Sequence, residues 1–218
     1  MTNKIREEQY ELFKLVLDGL NDLGLFNEDF LLDGLNEYLL EHFFSYKRIE
    51  NLSYFGIDVN YGCTKMVISI PDNDWVLKIP FSDTTVDHCK TEYQNYLISK
   101  REGYDNYFAE CDFLMNYKNL PCYIMKRAEV NRNRLQSEMF AYLLDETGDE
   151  EYATKNSKPW CKSGEEYVED LMRYHYGIEA IEDLYVFFRD YNIDDLHADN
   201  VGYIDGNLVF IDYSGYFG

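Results

Sequence analysis

Residues 192–215 read NIDDLHADNVGYIDGNLVFIDYSG and carry five aspartates in a short span. Asp195 stands five positions before Asn200. Asp205-Gly206 is a turn signal, and the apolar run over 208–211 that follows it ends on Asp212. A polar loop, a hairpin and a strand-terminal carboxylate can set the side-chain oxygens of Asp195, Asn200 and Asp212 around one point. Hard oxygen donors in that arrangement are a way to hold magnesium and a phosphate.

A second set of residues lies upstream. The stretch WVLKIPF puts a single lysine, Lys78, inside an apolar strand. A lysine there is costly to bury unless it is paired, so taken alone it reads as an edge-strand residue facing water. Glu92 supplies a partner on the next helix, in HCKTEYQNYL, with Tyr93, Tyr96 and Leu97 on the neighbouring face. A strand lysine paired with a glutamate on the following helix is how kinases hold the α- and β-phosphates of a nucleotide. Further upstream, YFGIDVNYGCTKMVIS places Gly56 and Gly62 six apart between two expected strands. Backbone without a Cβ can close over phosphates. The GxGxxG spacing is absent, and a plain loop is an equal reading.

These residues need elements to position them. Residues 4–47 show helical spacing of leucines and phenylalanines in two halves, punctuated at Gly24 and Asn27, which predicts a helical pair. Short strands are predicted over 52–55, 65–70 and 75–79, the last two joined by the turn Pro71-Asp72-Asn73-Asp74. A helix over about 86–101 follows Ser82-Asp83-Thr84-Thr85, and two more strands over 107–115 and 120–126 complete the region. A helix is predicted over 135–144, and 145–164 reads as a polar loop. Residues 165–191 read as one long helical pattern interrupted near Gly177.

The composition sets bounds. The chain has 218 residues with 46% hydrophobic content, enough for one sizeable core or two small lobes. Its 41 acidic and 20 basic residues give a net charge of -21, which repels nucleic acid and anionic membranes and favours a basic protein surface or a cationic small molecule. The five cysteines form no CxxC pair and are expected to be reduced, buried thiols. The N-terminus MTNKIREEQYELF has no apolar signal core, and no run reaches the ~18 apolar residues of a membrane span. These features predict a cytoplasmic protein, in its own cell or a host's, with neither nucleic acid nor membrane among its partners.

Asp195-Leu196-His197-Ala198-Asp199-Asn200 resembles the DLHxxN form of the kinase catalytic loop. Ile211-Asp212-Tyr213-Ser214-Gly215 resembles the magnesium-binding DFG segment, with Tyr-Ser where Phe usually stands. Over about residues 50–215 the chain is thus similar to the protein kinase-like superfamily. Its catalytic loop is nearest the aminoglycoside and choline kinase branch, and it also resembles phage-encoded and minimal bacterial effector kinases, which share that shortened loop and a reduced C-terminal lobe. The resemblance implies an α+β, two-lobed fold: an extra N-terminal helical segment (1–50), an antiparallel sheet plus one helix (51–128), and a reduced, truncated helical C-lobe (129–218). The truncated end is expected because the chain ends three residues after Gly215, before the helices that hold substrate in larger relatives.

The resemblance implies ATP and magnesium as cofactors and assigns roles. Asp195 orients the acceptor hydroxyl, and Asn200 and Asp212 bind the metal. Lys78 holds phosphates and Glu92 positions it, with Gly56 and Gly62 near the phosphates. Met125, Lys126, Arg127 and Ala128 form the hinge against which adenine stacks. His197 is expected to be structural. Asp194 and Asp199 rival Asp195, but only Asp195 has the five-residue step to Asn200. Three functions stay open: a minimal Ser, Thr or Tyr protein kinase, a small-molecule kinase of the aminoglycoside type, and a pseudokinase that works by binding.

Overall fold

The structure, a computed structural model, describes residues 1–22, 26, 57–61, 64–81, 85–159 and 164–215. The chain divides into two compact units, Met1–Gln94 with Glu110–Arg127, and Asn95–Ala109 with Ala128–Gly218. No helix among the described residues is long and apolar enough to cross a membrane.

The first unit is built on five strands: β1 (Asp58–Tyr61), β2 (Lys65–Ser69), β3 (Trp75–Pro80), β4 (Cys111–Tyr117) and β5 (Leu120–Lys126). All neighbours are antiparallel, in the order β1-β2-β3-β5-β4. Alternation along each strand sorts the side chains. Met66 and Ile68 of β2, Trp75, Leu77 and Ile79 of β3, and Cys122 and Ile124 of β5 join one core. Helix α1 (Asn3–Asp22) adds Phe13, Leu17 and Leu20 to it, at helical spacing on one face. The alternate residues Lys65, Val67, Lys78 and Tyr123 take the opposite face of the sheet. Tight turns hold this register. Lys118 (φ 47°) and Asn119 (φ 67°) both occupy the left-handed region that a two-residue hairpin turn requires. Helix α2 (Val86–Glu102) begins in the first unit and ends in the second.

The second unit contains α3 (Arg132–Thr147), α4 (Glu150–Asn156), α5 (Gly164–Tyr176), α6 (Ile178–Asp190) and a hairpin of β6 (Val201–Ile204) and β7 (Asn207–Phe210). Leu135, Met139 and Leu143 bury one side of α3, and Ile181, Leu184, Phe187 and Phe188 bury one side of α6. Phe108 packs its ring against those of Phe187, Phe188, Phe210 and Tyr213. Glu138 ties α3 to α5 and the hairpin: its carboxylate accepts hydrogen bonds from Arg134 Nε (2.9 Å), His175 Nε2 (2.8 Å) and the Tyr203 hydroxyl. The Arg134 guanidinium lies 3.6 Å from the centre of the Tyr203 ring. Burial alone would raise the Glu138 pKa, but these three hydrogen bonds outweigh it and hold the carboxyl below its ordinary value.

Several expectations are corrected. Residues 145–164 are not simply a loop, because 150–156 form α4, whose first turn is capped by Asp149 accepting from Tyr152 N–H at 2.9 Å. Little of α4 is buried beyond Ala153, so no apolar period marked it. The fourth strand starts at Cys111 rather than 107. Asp105–Tyr107 form a 3₁₀ turn, and Ala109 N–H donates instead to Phe210 O (2.8 Å). β1 was not anticipated. The long pattern over 165–191 does break at Gly177, whose φ of 81° disfavours any residue with a Cβ. The expectations for 27–47, 52–55 and 82–84 lie outside the described residues.

Candidate active site

The predicted groups fall in two sets, one in each unit. In the first, β3 is the middle strand of the sheet, which overturns the edge-strand reading of Lys78. Lys78 is 4% exposed and Glu92 1%. Lys78 Nζ lies 2.8 Å from Glu92 Oε1. Glu92 reaches it from the first half of α2, and the neighbouring Tyr93 packs on Tyr123 (5.8 Å between ring centres), which meets Phe113 edge-on. Burial, with the Glu92 charge close by, pushes the Cys111 thiol well above its ordinary pKa. Burial likewise pushes Cys122 up to about 12. Both stay neutral thiols, and Cys89, Cys111 and Cys122 are buried as expected. Cys63 and Cys161 lie outside the described residues.

Sequence reasoning missed Lys65. It is 5% exposed, and its Nζ lies 3.5 Å from the second oxygen of Glu92. Its only signal was a period-two alternation, TKMVIS, that sets it on the same sheet face as Lys78.

Gly56 and Gly62 lie outside the described residues, but β1 runs between them, so a single loop carrying both is ruled out. Of the four residues expected to form the hinge, Met125 and Lys126 belong to a strand. β5 extends through Met125 and Lys126, which pair with Val76 and Trp75. Lys126 Nζ bonds Asp74 (3.0 Å), and Arg127 N–H donates to Asp74 O (2.7 Å). The change of unit falls between Arg127 and Ala128.

In the second unit the loop after α6 is pinned by its apolar members: Ile193, Leu196 and Ala198 are buried. Ile193 N–H donates to Phe188 O at 2.8 Å. The polar residues between them remain accessible. Asp199 N–H donates to His197 Nδ1 (3.3 Å), which leaves the ring proton of a neutral imidazole on Nε2. Nε2 lies 3.3 Å from Asp195 Oδ1, so His197 steadies the Asp195 carboxylate. Of the rivals, Asp199 is bound by Arg132, with Nη2 2.6 Å and Nε 3.0 Å from its Oδ1.

Asn200 is 7% exposed, and its Nδ2 donates to Asp195 O at 2.9 Å. That bond turns the amide oxygen the other way. Ile211 N–H donates to Asn200 O (2.9 Å), and Val201 pairs with Phe210, so the hairpin register sets Asp212 one residue from the partner of Asn200. The register brings the backbones of Asn200 and Asp212 close, and an amide oxygen and a carboxylate are ligand types that magnesium takes while keeping several of its waters. Among the described residues no group of three or more His, Cys, Asp or Glu could hold a metal ion. The DFG-like segment is held by bonds that the sequence did not reveal. Asn95 Nδ2 donates to Tyr213 O (2.9 Å), and the Tyr213 hydroxyl donates to Ala109 O (2.7 Å). Gly215 (φ 73°) is required there, because a Cβ would stand 2.0 Å from Asn192 O.

No protein-family model and no curated protein matches this chain.

Proposed function

We propose that this chain is an ATP- and magnesium-dependent phosphotransferase, acting on a Ser, Thr or Tyr hydroxyl of another protein. The observation that carries the reading is the buried pair of Lys78, on the middle strand, with Glu92, on the helix that follows. Taking charges out of water costs several kcal/mol per ion, about what apolar residues in the same places would avoid. A buried ion pair of that kind is explained by a task for the lysine. The strand order, with a helix between β3 and β4, and the Asp195–Asn200–Asp212 arrangement support the same task.

Magnesium and ATP, when bound, supply the phosphoryl group and neutralise charge on its oxygens. Lys78 binds oxygens of the α- and β-phosphates, and Glu92 keeps its ammonium extended. Asn200 Oδ1 and the Asp212 carboxylate would hold the metal. Asp195, steadied by His197, accepts the hydrogen bond of the incoming hydroxyl and takes its proton. Positioning and charge neutralisation supply most of the rate in such transfers, so these few groups suffice. The net charge of -21 favours a substrate with a basic surface.

The test is incubation with γ-labelled ATP, magnesium and a bacterial lysate, beside Asp212→Ala. Label on the chain itself or on a discrete lysate protein, lost in the variant, is expected. Absence of label, or equal label with the variant, overturns the reading. Label recovered only on low-molecular-mass material moves the acceptor to a small molecule.

A further inference from the structure

Lys65 has no role in the reading above, yet it is buried against the same carboxylate as Lys78. Val67 stands opposite Lys78, and Lys65 opposite Pro80, so the two lysines are diagonal neighbours on one sheet face. Lys78 takes Glu92 Oε1 at 2.8 Å and Lys65 approaches Oε2 at 3.5 Å. A second buried ammonium adds a desolvation cost of several kcal/mol, roughly the penalty for each ion taken from water. Held by the two oxygens of one carboxylate, the two ammonium groups form a fixed pair of cations. A monophosphate needs one such group, whereas the adjacent phosphates of a di- or triphosphate suit two.

We infer that Lys65 is a second phosphate-holding residue, and that the Lys65–Lys78 pair selects nucleoside di- and triphosphates over monophosphates. This rests on the phosphotransferase reading. Lys65 adds a second cation to the phosphates that Lys78 holds, with Glu92 setting the spacing of both lysines.

The experiment is calorimetric titration of the full chain with ADP, AMP and adenosine in magnesium. The variants are Lys65→Met, Glu92→Gln and the two combined. The unaltered chain is expected to prefer ADP to AMP. Lys65→Met should weaken ADP by about tenfold or more, the worth of one charge-assisted contact, and leave adenosine unchanged. An ADP-to-AMP ratio that stays as it was overturns the inference. If Lys65 acted only through Glu92, adding Lys65→Met to Glu92→Gln would change nothing, and that result also overturns it. A further loss of ADP affinity supports direct contact.

Should Lys65→Met fail to fold, the unaltered chain is treated with a lysine-acylating acyl-phosphate analogue of ADP and its peptides are mapped. Acylation of both Lys65 and Lys78, blocked by excess ADP, supports the pair; label on Lys78 alone overturns it. No binding of any nucleotide by the unaltered chain would remove the phosphotransferase reading itself, and the inference with it. Nucleotide binding with no part for Lys65 would remove only the inference.

Discussion

In the first unit the charged groups come from three elements, Lys65 on β2, Lys78 on β3 and Glu92 on α2, and all three are buried. In the second, Asp195, His197 and Asn200 come from one loop and Asp212 from the end of the hairpin that follows, with Asp195 and His197 only half-buried. The first arrangement depends on strand pairing and helix packing for its existence. The second depends on a continuous piece of chain whose apolar residues are anchored beneath its polar ones. A buried cluster ties function to stability, since removing one charge strands the others away from water. An accessible loop separates the two, because a side chain can change there while the anchors stay.

That contrast is open to direct attack. Asp195→Asn should lower the rate of transfer by roughly 10²–10⁴-fold, the usual worth of a positioned proton acceptor. Its melting temperature should barely move, because the side chain is accessible and an amide oxygen can still accept from His197 Nε2, a kind of change that stays within about 0.5 kcal/mol. A large drop in melting temperature would show that the loop is as integral to the fold as the sheet cluster is.

Glu92→Ala should act on both properties. Urea denaturation should show a loss of about 3–5 kcal/mol, as for breaking a buried ion pair, together with weakened nucleotide binding. A variant as stable as the unaltered chain would erase the distinction between the units.

A smaller effect concerns pH. The folded pKa of Glu138 lies below its ordinary value, so the unfolded chain binds its proton more readily. The stability it contributes is therefore present above the unfolded carboxylate pKa of about 4.3 and is lost as pH falls through the folded value. Denaturation midpoints between pH 7 and pH 3 should fall less steeply in Glu138→Gln than in the unaltered chain. Identical slopes would mean that Tyr203, His175 and Arg134 do not hold the ionised form.

The smallest effect is expected at Arg132, whose bond to Asp199 is between exposed side chains. Arg132→Ala should cost at most about 1 kcal/mol and leave labelling by ATP intact. A strong loss of labelling would make Asp199, rather than Asp195, the residue to pursue.

Legibility in the sequence followed the same division. The hairpin was readable because Asp205-Gly206 adopts the left-handed backbone that such pairs favour, at φ 50° and 85°. The interruption at Gly177 and the extents of β2, β3, β5 and α2 were readable within a residue or so, since apolar spacing and turn residues are local signals. Helix α4 was not, because it is stabilised by a side-chain cap and a few polar contacts rather than by an apolar face. β1 was not, because a four-residue strand at the sheet edge carries too little alternation to stand out. Phe108 and Ala109 looked like strand residues, and their partners turned out to be Phe210 and Tyr213, about a hundred residues away.

The sequence by itself determined the residue types of the candidate site and the spacing of Asp195, Asn200 and Asp212, because a loop followed by a two-residue hairpin is a local structure. Only the tertiary structure decided that Lys78 lies in the middle of a sheet instead of at its edge. It also decided that Lys65 shares Glu92 with Lys78, and that Asn95 and Ala109 hold the segment after Asp212. Each of these depends on which strands pair and which helix face is covered. Burial of that kind is set by contacts between distant parts of the chain, and the spacing of residues along it does not record them.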